Sequence, residues 1–196
     1  MKEGAPCRSP PRRVPGETGI WVFVAGDLAV FGVFFLLLLS QRSGERALFV
    51  ASQRALSQSI GALNTFFMLT SSLFVALAVT SIRSGPPSAR RAPALILAAA
   101  TLGLGFVLVK AYEWSGLFSA GRTVSTNDFF MYYFMYTGIH LVHVLLGLIV
   151  LTLLYLLSRR SSLARGDMRL IESGGVFWHL VDLLWIILFA LFYLVK

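Results

Sequence analysis

Ile171-Glu172-Ser173-Gly174-Gly175-Val176-Phe177-Trp178-His179-Leu180-Val181-Asp182-Leu183-Leu184-Trp185 opens the last apolar run of the chain. Most of this stretch suits the hydrocarbon core of a membrane, yet it carries a histidine and an aspartate three residues apart. On a helix that spacing puts both on one face. Ionisable groups sunk to that depth are costly unless protein groups meet them. The stretch therefore predicts more than a membrane helix. It predicts a bundle, in which other spans supply partners for these side chains.

Composition agrees. Of 196 residues, 57% are hydrophobic and 13% charged, against roughly 25% charged in soluble domains. Polar surface that scarce cannot coat a water-facing globule. The formal net charge of +8 does not describe a nucleic-acid surface. Its Lys and Arg lie almost entirely between apolar runs, where they act as topology signals, and no nucleic-acid partner is expected. A lone cysteine, Cys7, excludes an internal disulfide framework and a multi-cysteine metal site.

Working back from the last run, at about 173–195, four more apolar runs cover about 19–41, 60–82, 92–115 and 129–158. At about 1.5 Å per residue each can cross a hydrocarbon layer of roughly 30 Å. Barrel strands would alternate and be about ten residues long. The expected fold is all-α: a polytopic membrane domain of five transmembrane helices over 18–196, preceded by a basic, disordered tail over 1–17. With the N-terminus inside, eleven of the 17 Lys and Arg fall in inner segments and five in outer ones. That bias predicts a cytoplasmic N-terminus and a C-terminus on the periplasmic side. The connection 42–59 has the composition of a short amphipathic helix on the outer surface, and 84–88 reads as a turn. No connection is large enough for a catalytic domain, and no phosphate-binding loop, dinucleotide fingerprint or nucleophile elbow occurs.

The polar residues inside the runs carry what function there is. Asp27 and Asp182 lie at similar depth, about 12 and 10 Å from the inner starts of their spans, and His179 is the nearest candidate partner for Asp182. In the fourth run Tyr133, Tyr136, His140, His143 and Gly147 are spaced three, four, three and four apart, a stripe that must face protein. A His-x-x-His pair can hold a metal, and a lone membrane histidine can ligate haem. With three histidines in the chain and no carboxylate or cysteine on that helix, packing and hydrogen bonding is the better reading. Lys110 and Glu113 allow an ion pair, or a lysine that snorkels to the surface. Asn64-Thr65, Ser72, Ala76 and Thr80 give the second run small and polar positions for close helix approach. Three classes of function fit these residues: a bundle held by internal polar contacts, a b-type cytochrome ligated through His140, His143 or His179, and a small proton or ion transporter using the two aspartates. The absence of an internal repeat disfavours an inverted-repeat transporter.

Several motifs resemble one family. Trp178-His179-Leu180-Val181-Asp182-Leu183-Leu184-Trp185 resembles the last-helix signature of cytochrome c oxidase subunit III, and Thr137-Gly138-Ile139-His140-Leu141-Val142-His143-Val144-Leu145-Leu146-Gly147 its histidine-bearing helix. Leu63-Asn64-Thr65 with Ser71-Ser72, and Lys110-Ala111-Tyr112-Glu113-Trp114, resemble two further family segments, in family order. The chain matches the last five of the seven helices of the full-length subunit. Gly26-Asp27 stands where the family usually carries serine-glutamate. This short form looks most like the subunit III-like protein associated with nitric oxide reductases. The resemblance implies an accessory subunit without haem, copper or other directly bound cofactor, beside a haem-containing catalytic subunit of an oxidase or nitric oxide reductase. It also implies structural phospholipid in a cleft between helix groups, with the first two runs as the smaller group. On this reading Asp27, Asn64, Glu113, His140, His143, Trp178, His179 and Asp182 form the buried polar network and line the cleft.

Overall fold

The structure is a computed structural model and describes residues 16–85, 88–160 and 164–195. The basic tail through residue 15, with Cys7, and Pro86-Pro87 of the expected turn lie outside the described residues.

The described chain is helical. α1 spans Thr18–Gly44, α2 Arg46–Gln53, α3 Gln58–Arg83, α4 Ala92–Ser119, α5 Asp128–Ser158 and α6 Arg165–Phe189. A short 3-10 turn, Ser88–Arg91, precedes α4, and a π-helical turn, Ala190–Leu194, prolongs α6. All but α2 are long and apolar enough to cross a membrane. The protein is a multi-pass membrane bundle.

Helix ends follow local chemistry. The Asn127 side chain accepts from the Phe130 amide at 3.0 Å, satisfying one of the free donors at the start of α5. Its Nδ2 donates to Ser52 Oγ at 2.9 Å, which pins α2 across that end of the bundle. At the end of α4, Gly121 adopts a φ of +72°. That left-handed residue lets the Arg122 amide turn back to the Leu117 carbonyl at 2.9 Å. α6 starts about two turns before its apolar run. The Asp167 carboxylate accepts from the Ala164 amide at 3.0 Å, and the polar segment from Arg165 continues as helix.

α3 packs along α4 and α6, α4 along α5, and α5 along α6, so four spans close into a ring. α1 lies outside that ring, against α6, where Phe31 meets Leu180 and Leu184. This corrects the expected grouping of the first two spans. α3 belongs to the core because a seam along it is mostly small or polar: Gly61, Asn64, Ser71, Ser72 and Ala78 are buried, together with Met68 and Val75. α1 buries only Phe31 and Leu38.

Contacts at both ends and in mid-span hold α1 in place. At the end where it starts, the Gly16 amide donates to Glu172 Oε2 at 2.9 Å, and Glu172 also receives Arg83 of α3 at 2.8 Å. In mid-span Tyr136 Oη donates to the Phe34 carbonyl at 2.7 Å. At the far end Arg42 Nη2 donates to the Val195 carbonyl at 2.7 Å.

Candidate functional site

Trp178 is the centre of the ring. It is 0% exposed, and its indole Nε1 donates to Ser71 Oγ of α3 at 3.0 Å. Ser71 in turn donates to the Ala99 carbonyl of α4 at 2.8 Å. The six-membered ring slots between two helices at glycines. A Cβ on Gly103 of α4 would stand 2.8 Å from the indole, and one on Gly147 of α5 2.6 Å from it. One side chain of α6 thus touches the other three members of the ring, and two missing methyl groups make the space. Trp185, two turns on, repeats the pattern with an indole donating to Thr65 Oγ1 at 3.0 Å.

Further along the ring lies a charged cluster. Lys110 is 1% exposed and pairs with Glu113 Oε2 at 2.8 Å. Its ammonium also donates to Tyr133 Oη at 3.1 Å and Tyr193 Oη at 3.0 Å, and stands 4.8 Å from the Trp185 ring centroid. Tyr193 Oη contacts both Glu113 oxygens at 2.7 and 2.9 Å. Desolvating two charges is tolerable only when geometry and extra hydrogen bonds compensate, and here the two tyrosines and the indole face supply both. The ion pair, not the snorkel, is what forms. Tyr193 reaches the cluster because Gly61 leaves room, a Cβ there standing 2.8 Å from the tyrosine ring.

The stripe on α5 divides between two neighbours. Tyr133, His140 and Gly147 face the ring interior, whereas Tyr136 and His143 turn to α1. His143 Nε2 pairs with Asp27 Oδ1 at 3.2 Å while its Nδ1 lies 2.9 Å from the Ile139 carbonyl. Asp27 is thus met by α5 and not by α6. His140 is fully buried between Phe106 and Trp185, with ring centroids 5.6 and 5.4 Å away, and neither ring nitrogen has a hydrogen-bond partner. Asn64 is equally buried, and neither end of its amide is paired. Orphaned donors and acceptors of this kind are where ordered water sits in helical bundles.

The expected pairing of His179 with Asp182 does not form. His179 Nδ1 and Ser72 Oγ of α3 are hydrogen-bonded at 2.6 Å, and the imidazole is exposed, not buried. Asp182 is buried near the same hydroxyl, with Oδ1 unpaired. The reason lies in helix phase: position 182 points toward α3, and 179 lies at the rim of that contact, beside an opening of about 190 Å³ between α3 and α6.

Of the eight side chains singled out in the sequence, the structure pairs Asp27 with His143 and puts Glu113 in the charged cluster. Trp178 stands at the centre of the ring, Asn64 and His140 are buried without partners, and His179 and Asp182 share the neighbourhood of Ser72. Sequence reasoning named Thr65 as a close-approach position and Ser71 as part of a family-like segment without giving either an indole partner, and it left out Tyr193 and the outcome at Lys110. A lysine inside an apolar run was a usable signal for the last. Tyr193 had none, because its position depends on the π-helical turn at the end of α6. Among the described residues no three His, Cys, Asp or Glu side chains converge as a metal-ligand group.

Comparison with known proteins is consistent with this architecture. A family model described as cytochrome c oxidase subunit III matches residues 18–196. Among similar proteins, the heme-copper oxidase subunit I+III of Aeropyrum pernix is 28% identical over 191 residues, covering 91% of this chain and 22% of that protein. The probable quinol oxidase subunit 3 of Staphylococcus aureus strain USA300 is 24% identical over 179 residues, covering 91% of this chain and 88% of that protein. The chain thus spans about a fifth of the length of the first relative and most of the second.

Proposed function

The chain belongs to the cytochrome c oxidase subunit III family, and on that premise we propose that it is a non-redox accessory subunit of a haem-copper oxidase-type complex. Its work is mechanical. It packs beside a haem-containing catalytic subunit and supports the assembly and stability of that subunit in the membrane. The observation that carries this reading is the way the polar groups are used. Lys110 and Glu113 satisfy one another, Asp27 is taken by His143, and Trp178 locks four helices together. His140 is wedged between Phe106 and Trp185. This is chemistry spent on holding helices.

The orientation belongs to the same proposal: N-terminus cytoplasmic and C-terminus periplasmic in a bacterial inner membrane, from the Lys and Arg bias. So does structural phospholipid. α1 is apolar and exposed on most of its surface, with Val22, Val33 and Leu36 at 70%, 56% and 68% exposure, and acyl chains would cover its flanks beside the ring. Arg42, Arg46 and Arg54 at the outer end offer cations for headgroups. The relatives named above are oxidase subunits. The nitric oxide reductase branch rests on the resemblance of the stretch leading into Gly26-Asp27.

The test is co-purification. The tagged chain, extracted in mild detergent from its own membrane, should bring down a haem-containing subunit and phospholipid while showing no Soret absorbance of its own when expressed alone. Oxygen or nitric oxide consumption by the co-purified complex separates the two branches. A self-sufficient monomer with stoichiometric haem, lost on His140→Ala, would overturn the proposal.

A further inference from the structure

At the end of the bundle that α2 crosses, a pocket of about 280 Å³ opens between α2, the start of α3 and the π-helical turn. Val50, Gln53, Arg54, Leu56, Gln58 and Tyr193 line it, and α1 contributes nothing to the lining. A single trapped water takes about 30 Å³, and drug-sized ligands occupy about 300–1,000 Å³. The space therefore suits a small ion or a headgroup: it is too large for one water and too small for a whole lipid.

The polar part of its wall consists of donors that lack acceptors. Gln53 is 7% exposed, and its Nε2 is buried without a hydrogen-bond partner. A buried amide in that state is costly until an acceptor meets it. The exposed Arg54 guanidinium has no acidic or hydrogen-bonding partner among the described residues. Gln58 opens the 26-residue helix α3. Ser57 Oγ accepts from the Ile60 amide at 3.4 Å, which leaves the Gln58 and Ser59 amides without an intrahelical partner at the positive end of the helix. No Asp or Glu lines the pocket. The carboxylate behind the Tyr193 ring, Glu113, is bound by Tyr193 Oη and neutralised by Lys110 at 2.8 Å, so it does not repel an anion. The opening beside His179 differs, because its arginine, Arg83, is already matched by Glu172 at 2.8 Å.

We propose that this pocket is a seat for a phosphate-class oxyanion, held by the Arg54 guanidinium, the Gln53 amide and the positive end of α3. Such an ion supplies the acceptors these donors lack, and its oxygens take several N–H bonds at once. It arrives either as free phosphate from the water or as the phosphate of a phospholipid head. The site lies off the α1 flank and stands independently of the accessory-subunit reading.

Two arms, both on the full chain in mild detergent, test the site and identify the source. In the first, inorganic phosphate is titrated into lipid-stripped protein and followed by broadening of its phosphorus NMR line. In the second, native mass spectrometry counts the phospholipid retained per chain after extraction from the membrane. Arg54→Ala removes the cation from an exposed position, where folding is not at stake, and Gln53→Glu places a carboxylate in the wall. Arg91→Ala, an exposed arginine at the opposite end of the bundle, is the control. Binding should appear in at least one arm for the wild type and the control. It should weaken about tenfold in Arg54→Ala, of the order of one charge-assisted hydrogen bond, and vanish in Gln53→Glu. Phosphate binding identifies a soluble ligand and retained phospholipid a headgroup, and either supports the site. Binding in neither arm, binding undiminished in Arg54→Ala, or an equal loss in Arg91→Ala would overturn the proposal.

Discussion

Replacing Gly147 by alanine adds a methyl whose carbon would lie 2.6 Å from two atoms of the Trp178 ring. The indole cannot slide to relieve this. It is 0% exposed, its Nε1 is tied to Ser71 at 3.0 Å, and its opposite edge already approaches Gly103. Overpacking a core typically costs about 1–3 kcal/mol, and the upper half applies where neither partner can move. Alanine returns up to about 1 kcal/mol through better helix propensity. The net expectation is a loss of about 1–2 kcal/mol. Gly116→Ala on α4 is the control, because a Cβ there meets nothing within 4 Å and only the propensity gain remains. Reversible unfolding in mixed detergent micelles, followed by tryptophan fluorescence, measures both. The contact itself is isolated by a cycle with Trp178→Leu, which shortens the side chain and makes room for the methyl. The cost of Gly147→Ala should shrink by about 1 kcal/mol or more in that background. A Gly147→Ala protein as stable as the Gly116→Ala control, or a cycle with no coupling, would refute the close packing of α5 on Trp178.

Lys110→Met leaves the Glu113 carboxylate buried without its cation and should cost about 3–5 kcal/mol, while the double change with Glu113→Leu should recover most of that; the same unfolding assay reads both. Ser71→Ala strands the Trp178 indole N–H in the core and should cost about 1–3 kcal/mol, with a fluorescence shift from Trp178 in the folded state. Asp27→Leu removes one of the two hydrogen-bonded ties between α1 and α5, that of Tyr136 to the Phe34 carbonyl being the other, without touching the ring. Hydrogen exchange in nanodiscs should therefore speed up along α1 and stay unchanged in α3 and α4, and equal acceleration in both would show that α1 is an integral member of the core.

The polar groups inside the spans show how far a sequence can be read. That Asp27, His140, His143, His179 and Asp182 called for protein partners followed from the cost of burying them in oil, whereas for Lys110 and Glu113 an ion pair and a snorkelling lysine stayed open. Which partner each would take did not follow. Asp27 found His143 and not a group on α6, because α1 leans into the angle of α5 and α6. His179 missed Asp182 although the two are three residues apart, because its Nδ1 is taken by Ser72 on α3. Tyr193 joined the charged cluster through a π-helical turn and a glycine on α3, and neither is visible as spacing.

The amino-acid sequence by itself determined that the chain is a membrane bundle of five spans, since length and hydropathy are local properties and a hydrocarbon layer leaves a long apolar run without alternation no alternative to helix. It also marked the polar stripe on α5 as protein-facing. Only the tertiary structure decided that four spans close into a ring with the first outside it, and that Trp178 joins the four. These outcomes depend on which small residues face one another across different helices, and that is a matter of relative rotation and tilt that no single span encodes.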